Sequence, residues 1–372
     1  MLYLGIDQHA MQLTIDLGDE EGNLVDHRQV KTEPEKLTKF LEGMQQRTAP
    51  EGGYVAIVEV CGFNGYLLAL LKQYGCVKTV LVQPEHRDKR KTDRRDARRL
   101  RHLLWENRRR IMQGKRIISL RIVRPATKRE SDSCQLTMLR TRLIRLRTTA
   151  INKVKGLLRK HNLQHDCPTK GIQTKGALAW LQQIELDEID RLEMDILLAR
   201  WKLYNEKLSI VDNNINERQR QDAKATVIRS IPGLSAFGSL AVASRVGDHR
   251  DFPRSGSLAN FWGLTPSSNS SGKTIRLGQI TKEGSSVVRY VLGQAVLHVL
   301  RQDAWMRNWY QKIKRRRGSK TARVAVMRRL ATIIWSMLTY DVPYVKGGPA
   351  ELRKVIELKQ AFPQKATATS LT

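Results

Sequence analysis

The sequence predicts a mixed α/β domain at the N-terminus, followed by long helices and a mostly helical C-terminal region. Three observations lead to this fold class. Strand-like and helix-like hydrophobic periods alternate over residues 2–106, a heptad-like period replaces them after Pro125, and shorter helical patterns begin near residue 223. At roughly 100–200 residues per domain, a chain of 372 residues is long enough for two or three domains.

The first domain is predicted from β-rich runs that alternate with helical ones. Residues 2–6 form an apolar run that ends at Asp7, residues 11–17 alternate in polarity, and Gly22-Asn23 makes a turn into a third strand. Further on, helices are predicted over 34–46, 64–75 and 92–106, and strands over 54–60 and 77–82. This order is typical of a mixed sheet, in which a hairpin meander is followed by crossover connections.

The middle of the chain has the spacing of a coiled-coil arm. One stripe of apolar residues at steps of three and four consists of Leu136, Leu139, Leu143, Leu146 and Ala150. A second long helical region, predicted over 176–218, has its stripe at Ile189, Leu192, Ile196, Ala199 and Leu203. We therefore expect four parts, over residues 1–125, 126–222, 223–345 and a tail at 346–372. The partner of the arm, the same chain or another copy, stays open at this point.

The charge of the chain indicates a polyanionic partner. The 66 Lys and Arg exceed the 36 Asp and Glu by 30, and such an excess favours binding to nucleic acid. Residues 1–60 are the exception, because they contain 11 acidic residues against 5 basic ones. Bound divalent cations would explain an acidic region in a protein that holds phosphates.

The cysteines and the apolar runs bear on the compartment. Four cysteines lie far apart and form no C-x-x-C pair, which is typical of a protein in a reducing compartment. The first residues lack the basic and apolar regions of a signal peptide, and no run of 18 apolar residues occurs. We therefore expect an intracellular protein that is not associated with a membrane.

Four carboxylates stand at positions that a mixed sheet would bring together. Asp7 ends the first predicted strand, Glu59 is near the end of the strand over 54–60, and Asp93 and Asp96 share one face of a helix at a spacing of three. Such a set can hold two Mg²⁺ ions about 3.5–4 Å apart for phosphodiester cleavage. A turn role for Asp7 and a solvated helix face for the Asp93–Asp96 pair are the structural alternatives.

A segment rich in serine, glycine and cations, residues 262–292, is predicted to be a functional loop. Ser271 precedes Gly272, and its hydroxyl can attack a phosphodiester to leave a covalent protein–DNA link. Lys273, Arg276, Lys282 and Arg289 are candidates for holding backbone phosphates nearby. The order Gly-Lys-Thr at 272–274 resembles the end of a nucleotide-binding P-loop, but Ser267 stands where that motif needs glycine, so an NTPase is excluded.

Other basic and polar features extend this picture. Residues 301–330 contain 11 basic residues against one acidic residue, and Arg315 and Arg316 in this run are predicted to contact phosphates. Trp305 and Trp309 beside it are compatible with base stacking or with core packing. Ile231-Pro-Gly-Leu resembles the hairpin of a helix-hairpin-helix element, although Ser235 replaces the usual second glycine. A zinc site at His161, His165 and Cys167 is disfavoured, since a fourth ligand is absent.

Taken together, these segments resemble the DEDD transposases of the insertion sequence 110 family, including its 1111 branch. The resemblance covers residues 3–340, and its ordered motifs are G-I-D-Q-H at 5–9, V-E-V-C-G at 58–62, K-T-D-R-R-D-A at 91–97, I-P-G-L at 231–234 and G-L-T-P to the arginine at 263–289. Matched motif by motif, the family's catalytic tetrad becomes Asp7, Glu59, Asp93 and Asp96. Its serine becomes Ser271, with Ser270 next to it as the alternative alignment.

The resemblance implies a RuvC-like (RNase H-like) N-terminal domain, a coiled-coil arm and a C-terminal transposase domain that carries the serine. It also implies an RNA-guided recombinase that uses Mg²⁺ and a bridge or seeker RNA, which pairs with target and donor double-stranded DNA. Dimers of the family assemble into tetramers, in which the tetrad of one protomer meets the serine of another. Strand exchange then proceeds through phosphoserine linkages. The resemblance further implies a cytoplasmic protein of a bacterium or archaeon, associated with the nucleoid.

Two other functions remain compatible with the residues. A junction-resolving or structure-selective nuclease would use the same tetrad with water as the nucleophile. A packaging protein for RNA or DNA would bind in a salt-sensitive way and cleave nothing. The serine segment distinguishes the first alternative from a recombinase, and dependence on a divalent metal distinguishes the second.

Overall fold

A computed structural model of the chain describes residues 1–83, 93–115, 117, 120–268 and 277–361. The chain divides into two compact units, Met1–Pro125 and Ala126–Thr372. Each unit has buried hydrophobic clusters of its own. The boundaries predicted inside the second unit, after residues 222 and 345, stay predictions.

The first unit is a five-stranded mixed sheet with helices on both faces. Its elements are β1 (Leu2–Gln8), β2 (Gln12–Gly18), β3 (Leu24–Lys31), α1 (Pro34–Thr48), β4 (Tyr54–Glu59), α2 (Asn64–Gln73), β5 (Cys76–Val82) and α3 (Asp93–Met112). The strand order is β3-β2-β1-β4-β5. The hairpin strands β1, β2 and β3 pair antiparallel, and β4 and β5 extend the sheet in parallel with β1. The predicted mixed α/β domain is confirmed.

Alternate residues of the strands supply two separate cores. Leu4 and Ile6 of β1 belong to the cluster that includes Leu37 of α1 and Leu67 of α2. Tyr3 of β1 belongs instead to the cluster on the other face, which includes Leu100 and Leu104 of α3. Because side chains alternate along a strand, Gly5 and Asp7 face the same side as Tyr3. Helix α3 therefore covers the face of the sheet to which Asp7 belongs.

The second unit begins with a helical arm made of α4 (Lys128–Lys160), α5 (Lys175–Gln183) and α6 (Glu188–Arg220). Thr127 and Glu130 form a capping box at the start of α4. The single helical region predicted over 176–218 is wrong, because two helices occupy it. Arg191 donates to the carbonyl oxygens of Leu181 (3.0 Å) and Ile184 (3.3 Å), and these bonds satisfy the last turn of α5 where the chain leaves the helix.

The apolar stripe of α6 that packs inside the unit differs from the predicted one. The buried residues of α6 include Met194, Leu197, Trp201, Leu208, Val211 and Ile215, which recur at steps of three and four. The predicted stripe lies on the opposite side of the helix and is exposed, with Ile189 at 71% and Leu192 at 57%. On α4 the predicted stripe divides, since Leu136 and Leu143 pack against the C-terminal core while Leu139 and Leu146 are exposed.

The rest of the second unit is mostly helical, as predicted. Its elements are α7 (Ala223–Arg229), α8 (Ala236–Val246), α9 (Ser255–Phe261), β6 (Pro266–Ser268), β7 (Leu277–Ile280), α10 (Ser286–Gln302), α11 (Ala304–Tyr340) and α12 (Pro349–Ala361). One large cluster of buried residues joins α8, α10 and α11. Two details differ from expectation: β6 and β7 pair as a short antiparallel hairpin, and α12 lies within the predicted tail.

Candidate active site

The ends of β1 and β4 bring Asp7 and Glu59 side by side. These strands are parallel neighbours, and their register pairs Ile6 with Val58. Asp7 and Glu59 each follow by one residue, so they stand next to each other on strands about 4.8 Å apart. Their side chains are 15% and 17% exposed, which leaves both carboxylates accessible from solvent.

Helix α3 approaches the sheet closely and delivers its first turns to the same place. A Cβ atom on Gly5 would lie 2.3 Å from the carbonyl oxygen of Ala97, so the two backbones are in direct contact. At the other end of the helix, the Trp105 indole donates to the carbonyl of Glu20 at 2.9 Å, and Glu20 contacts the amino group of Met1. Helix α3 therefore runs antiparallel to β1, and its N-terminal end points toward Asp7.

Cationic and imidazole groups of the chain contact two of the carboxylates. Arg99 donates from Nη2 to Glu59 Oε1 at 2.7 Å, across the gap between α3 and β4. The Nε2 atom of His9 lies 3.0 Å from Asp7 Oδ2. These contacts balance part of the negative charge that the acidic residues bring together.

Among the described side chains, Asp7, Glu59 and Asp96 lie at the same edge of the sheet, but their ligand atoms do not form a group within 4.8 Å of one another. Asp93 begins α3, and its side chain lies outside the described residues, whereas Asp96 is partly buried. Within the described part of the chain, the group of three potential metal-ligand atoms within 4.8 Å of one another lies in the arm. It consists of His161, Asp187 and Asp190. The assignment of Asp7, Glu59, Asp93 and Asp96 to metal binding stays a prediction.

The donor set at the ends of β1 and β4 fits a hard divalent cation. Asp7, Glu59 and Asp96 offer carboxylate oxygens, which Mg²⁺ prefers, and partial exposure leaves room for the waters that this ion retains. Because the Arg99 guanidinium contacts Glu59, a metal ligated by Glu59 would share this carboxylate with a cation of the protein. The residues present are therefore compatible with a magnesium site.

Sequence reasoning missed the buried ion pair that fastens α3 to the sheet. Arg101 donates to Asp16 of β2, and both side chains are 3% exposed. Arg101 also donates to the carbonyl oxygen of Gly22 at 2.8 Å, and His27 Nδ1 lies 3.2 Å from Asp16 Oδ2. The sequence feature that indicates this ion pair is Asp16 itself, an acidic residue inside the apolar strand over 11–17. Burial of an unpaired charge there would cost free energy, so a cationic partner is expected.

The serine segment is framed by the short hairpin of β6 and β7. Pro266 pairs with Ile280 and Ser268 pairs with Leu277. Ser270, Ser271, Lys273 and Arg276 lie outside the described residues, so their predicted roles stay predictions.

Arg289 and Lys282, which the sequence suggested as phosphate ligands, differ in their surroundings. One nitrogen of Arg289 donates to the carbonyl oxygens of Trp262 (3.2 Å), Glu283 (2.6 Å) and Gly284 (3.3 Å). Burial lowers the pKa of its guanidinium. Arg289 thus holds the backbone between β7 and α10, whereas Lys282 is exposed.

The basic run of α11 is exposed at its two predicted phosphate contacts. Arg315 and Arg316 lie on the turn before Gly318, where a non-helical backbone (φ 81°, ψ 167°) bends the helix.

Trp305 and Trp309 stack with ring centroids 6.3 Å apart and pack against the core of the unit. Of the two interpretations of these tryptophans, the contacts favour packing.

The Ile231–Leu234 turn joins α7 to α8, as a helix-hairpin-helix element requires. Ser235, which departs from the usual glycine, begins α8, and its hydroxyl accepts a hydrogen bond from the backbone nitrogen of Gly238 at 3.2 Å. The substitution is therefore compatible with the second helix, because serine is a favoured N-cap residue.

The histidine–aspartate group of the arm is an ion pair. Lys160 Nζ and His161 Nε2 both lie 2.6 Å from Asp190 Oδ2. The hydrogen bond from Lys160, followed by that from His161, lowers the pKa of the Asp190 carboxyl. A cation of the protein thus already binds the carboxylate, and the group ties the end of α4 to the start of α6.

Within the described ranges, no helix combines the length and the apolar character that crossing a bilayer requires.

Two family models match this chain. One, a DEDD transposase model of IS110 elements described as "Transposase", matches residues 4–163 and so includes all four carboxylates. The other, described as "Transposase IS116/IS110/IS902 family", matches residues 225–311 and includes the serine segment.

Curated relatives agree with these matches. The chain is 30% identical to the transposase for insertion sequence element IS1111A of Coxiella burnetii, in an alignment of 311 positions that covers 78% of this chain and 79% of the relative. It is 25% identical to the putative transposase y4pF/y4sB of Sinorhizobium fredii, over 83% of this chain and 77% of that protein. It is 27% identical to a probable family 20 transposase of Pseudomonas aeruginosa, over 78% and 85%. The chain therefore belongs to the IS110 family of DEDD transposases and is a DNA transposase.

Proposed function

We propose that this transposase is an RNA-guided recombinase, which cuts and rejoins the DNA of its insertion sequence and of the target. In this proposal a bridge-type RNA from the element pairs with both DNAs. The observation that carries the proposal is the meeting of the first turns of α3 with the ends of β1 and β4, where Asp7, Glu59 and Asp96 stand. The arrangement is that expected of a RuvC-like domain.

The tetrad supplies the metal-binding half of the chemistry. Asp7, Glu59, Asp93 and Asp96 would hold Mg²⁺, which when bound stabilises the attacking and leaving oxygens of a phosphodiester. Arg99 orients the carboxylate of Glu59 and His9 orients that of Asp7, each through a direct contact. Membership of a DEDD family supports the use of a divalent metal, and the oxygen donor set supports Mg²⁺.

Ser271 supplies the nucleophile. The hydroxyl gives up its proton as its Oγ forms a bond to phosphorus, and the bond from phosphorus to the neighbouring sugar oxygen breaks. That oxygen takes up a proton and leaves as a hydroxyl group. The phosphoserine link conserves the energy of the phosphodiester, so a hydroxyl of another strand can reverse the step and rejoin the DNA. The match of residues 225–311 to a transposase family supports this assignment.

The cationic surface supports binding of a large amount of nucleic acid. DNA binding follows from membership of a transposase family. An excess of 30 positive charges is more than a short DNA contact needs, and it suits a guide RNA together with two duplexes. Exposed Arg315 and Arg316 of α11, with Lys282 and the partly exposed Arg289 near β7, are the described members of the proposed phosphate surface.

The outer face of α6 supports a homo-oligomer, with dimers that assemble into tetramers. Ile189, Leu192, Ile196 and Leu203 are between 46% and 71% exposed and recur at heptad steps. An apolar face of this kind, exposed to solvent in one chain, is typical of a surface that a second copy covers.

The proposal is tested by the RNA that accompanies the protein. RNA that co-purifies with the chain is sequenced, and donor and target DNAs that match its loops are supplied in a recombination assay. We expect recombinant junctions with matched DNA and Mg²⁺, and none with EDTA or with mismatched loops. Junctions that ignore the match or the metal would overturn the proposal. Cleavage without rejoining would favour the junction-resolving nuclease.

A further inference from the structure

We infer that Asn64 is a positioning residue of the candidate metal centre, which ties the turn after β4 to the end of β1. This inference rests on the proposed function, since it concerns the same carboxylates. Asn64 is the first residue of α2 and is 6% exposed. Nothing in its motif, V-E-V-C-G-F-N, distinguishes it from an ordinary helix-start asparagine.

The side chain of Asn64 makes three hydrogen bonds to two different segments. Its Nδ2 donates to Gln8 Oε1 at 2.7 Å and to the backbone carbonyl of Glu59 at 3.0 Å. Its Oδ1 accepts from the backbone nitrogen of Cys61 at 2.6 Å. The bonds with Glu59 and Cys61 stay within the turn over residues 59–64, whereas the bond to Gln8 crosses to another strand.

Gln8 completes the bridge from its own side. Its Nε2 donates to the carbonyl oxygen of Phe63 at 3.3 Å, so the two amide side chains join the turn over residues 59–64 to β1 at two points. Gln8 is 8% exposed and alternates with Asp7 along β1, so it faces away from α3. Neither amide therefore belongs to the carboxylate face itself.

The bridge lies at the end of the ladder that joins the two strands. The register of β1 with β4 ends at Ile6 and Val58, one residue before each carboxylate. On its other side β4 continues to pair, since Glu59 lies opposite Val82 and Val60 donates to the Val82 carbonyl. Just beyond the last pair, the Asn64–Gln8 bond adds a side-chain link between β1 and the turn after β4, through which Asn64 would help to set the spacing of Asp7 and Glu59.

The positioning role of Asn64 can be measured as a change in metal affinity. Groups that orient metal ligands through a second layer of hydrogen bonds typically change metal affinity by about 10–100-fold when they are removed. Asn64 does so here through the backbone of Glu59 and through Gln8, the neighbour of Asp7. Loss of the bridge should therefore weaken binding of a divalent ion more than it weakens folding.

The test measures Mn²⁺ binding by electron paramagnetic resonance in the full chain, stripped of nucleic acid at high salt. The variants are Asn64→Ala, Gln8→Met and the double variant, with thermal unfolding followed in parallel. Gln8→Met removes the bridge and leaves the local bonds of Asn64 in place, so it tests the inference even if Asn64→Ala folds poorly. Asn23→Ala is the matched control, because Asn23 bonds to Asp19 in the β2–β3 turn, away from the carboxylates.

We expect Mn²⁺ affinity about 10–100-fold lower in both single variants. The double variant should lose little more than either, since the two residues share one bond. Asn23→Ala should bind as the unsubstituted chain does. Equal affinity in all folded variants would overturn the inference and leave the proposed function intact. If Asp7→Asn binds Mn²⁺ as tightly as the parent chain does, the proposed function is overturned, and the inference with it.

Discussion

Gly5 of β1 lies directly against the backbone of α3 at Ala97. A side chain at Gly5 would place its Cβ 2.3 Å from the Ala97 carbonyl oxygen and 2.6 Å from the Arg101 nitrogen. The missing side chain sets the height of α3 above the sheet. It thereby sets the distance between Asp96, which precedes Ala97, and the carboxylates of Asp7 and Glu59.

Replacing Gly5 should lower the free energy of unfolding of the first unit. Gly5→Ala inserts a methyl group where two backbones touch, and overpacking of this kind costs about 1–3 kcal/mol or more. Urea unfolding measures the change. Gly43→Ala is the matched control, because Gly43 lies inside α1 with nothing within 4 Å of an added Cβ. That variant should be more stable by about 0.5–1 kcal/mol, the usual gain for alanine in a helix. Similar effects of the two substitutions would contradict the close packing.

Removing one carboxylate of the tetrad should abolish strand cleavage without affecting RNA binding. Asp7→Asn and Asp96→Asn keep the size of each side chain and remove the charge that a divalent ion needs, so cleavage should fall by on the order of 10²-fold or more. Cleavage of labelled DNA and RNA retention on a filter give the two readouts. Glu35→Gln, an exposed acid of α1, is the control. Equal loss of RNA binding would point to misfolding, and full cleavage would exclude the residue from the site.

The covalent intermediate should depend on one hydroxyl. On nicked DNA substrates, Ser271→Ala should eliminate the protein–DNA adduct that resists boiling in detergent, because no other atom of that residue can bond to phosphorus. Denaturing gels with end-labelled DNA measure the adduct. Ser270→Ala is the matched control and should retain it. Loss of the adduct in Ser270→Ala alone would identify Ser270 as the nucleophile. An adduct in both variants would mean that neither serine is the nucleophile.

The exposed arginines before the bend of α11 should contribute to the salt dependence of nucleic-acid binding. Each phosphate contact adds about 0.9 to the slope of log affinity against log salt on double-stranded DNA. Arg315→Gln and Arg316→Gln should therefore each make that slope shallower by about this amount, measured by fluorescence anisotropy from low to high salt. Arg47→Gln, an exposed arginine of α1, should leave it unchanged. An unaltered slope in both α11 variants would remove these residues from the phosphate surface.

The Asp190 carboxylate should stabilise the arm at neutral pH and lose this effect in acid. Its hydrogen bonds to Lys160 and then His161 lower its pKa below the ordinary 3.8. A carboxylate with a lowered pKa contributes stability above its unfolded pKa, and the contribution is lost as the pH falls through the folded value. Asp190→Asn should therefore lower the melting temperature at pH 7, and the difference from the parent should shrink below about pH 4. Circular dichroism measures both.

Asp195→Asn is the control for that experiment, since Asp195 is 60% exposed and pairs with Arg191 one turn away on the helix surface. Its effect should be small at every pH. A pH-independent difference between parent and Asp190→Asn would mean that the ion pair does not stabilise the arm.

The strands of the first unit could be predicted because their residues alternate or are uniformly apolar, and such periods depend on local sequence. The β1 and β4 runs, with Asp7 and Glu59 at their ends, are examples. The stripes of α6 show the limit of this reasoning. Two apolar stripes at heptad steps lie on opposite sides of one helix, and periodicity cannot tell which of them packs within the chain.

The residues alone were enough to identify the order of elements in the first unit, the acidic positions at strand ends and the family. The contacts that orient those positions come from segments distant in the chain: Gly5 with Ala97, Asp16 with Arg101, Glu59 with Arg99 and Gln8 with Asn64. Local sequence governs backbone period and polarity. Which backbones touch, and which charge meets which, is settled only when the sheet and α3 pack together, since burial makes these pairings strong enough to be specific.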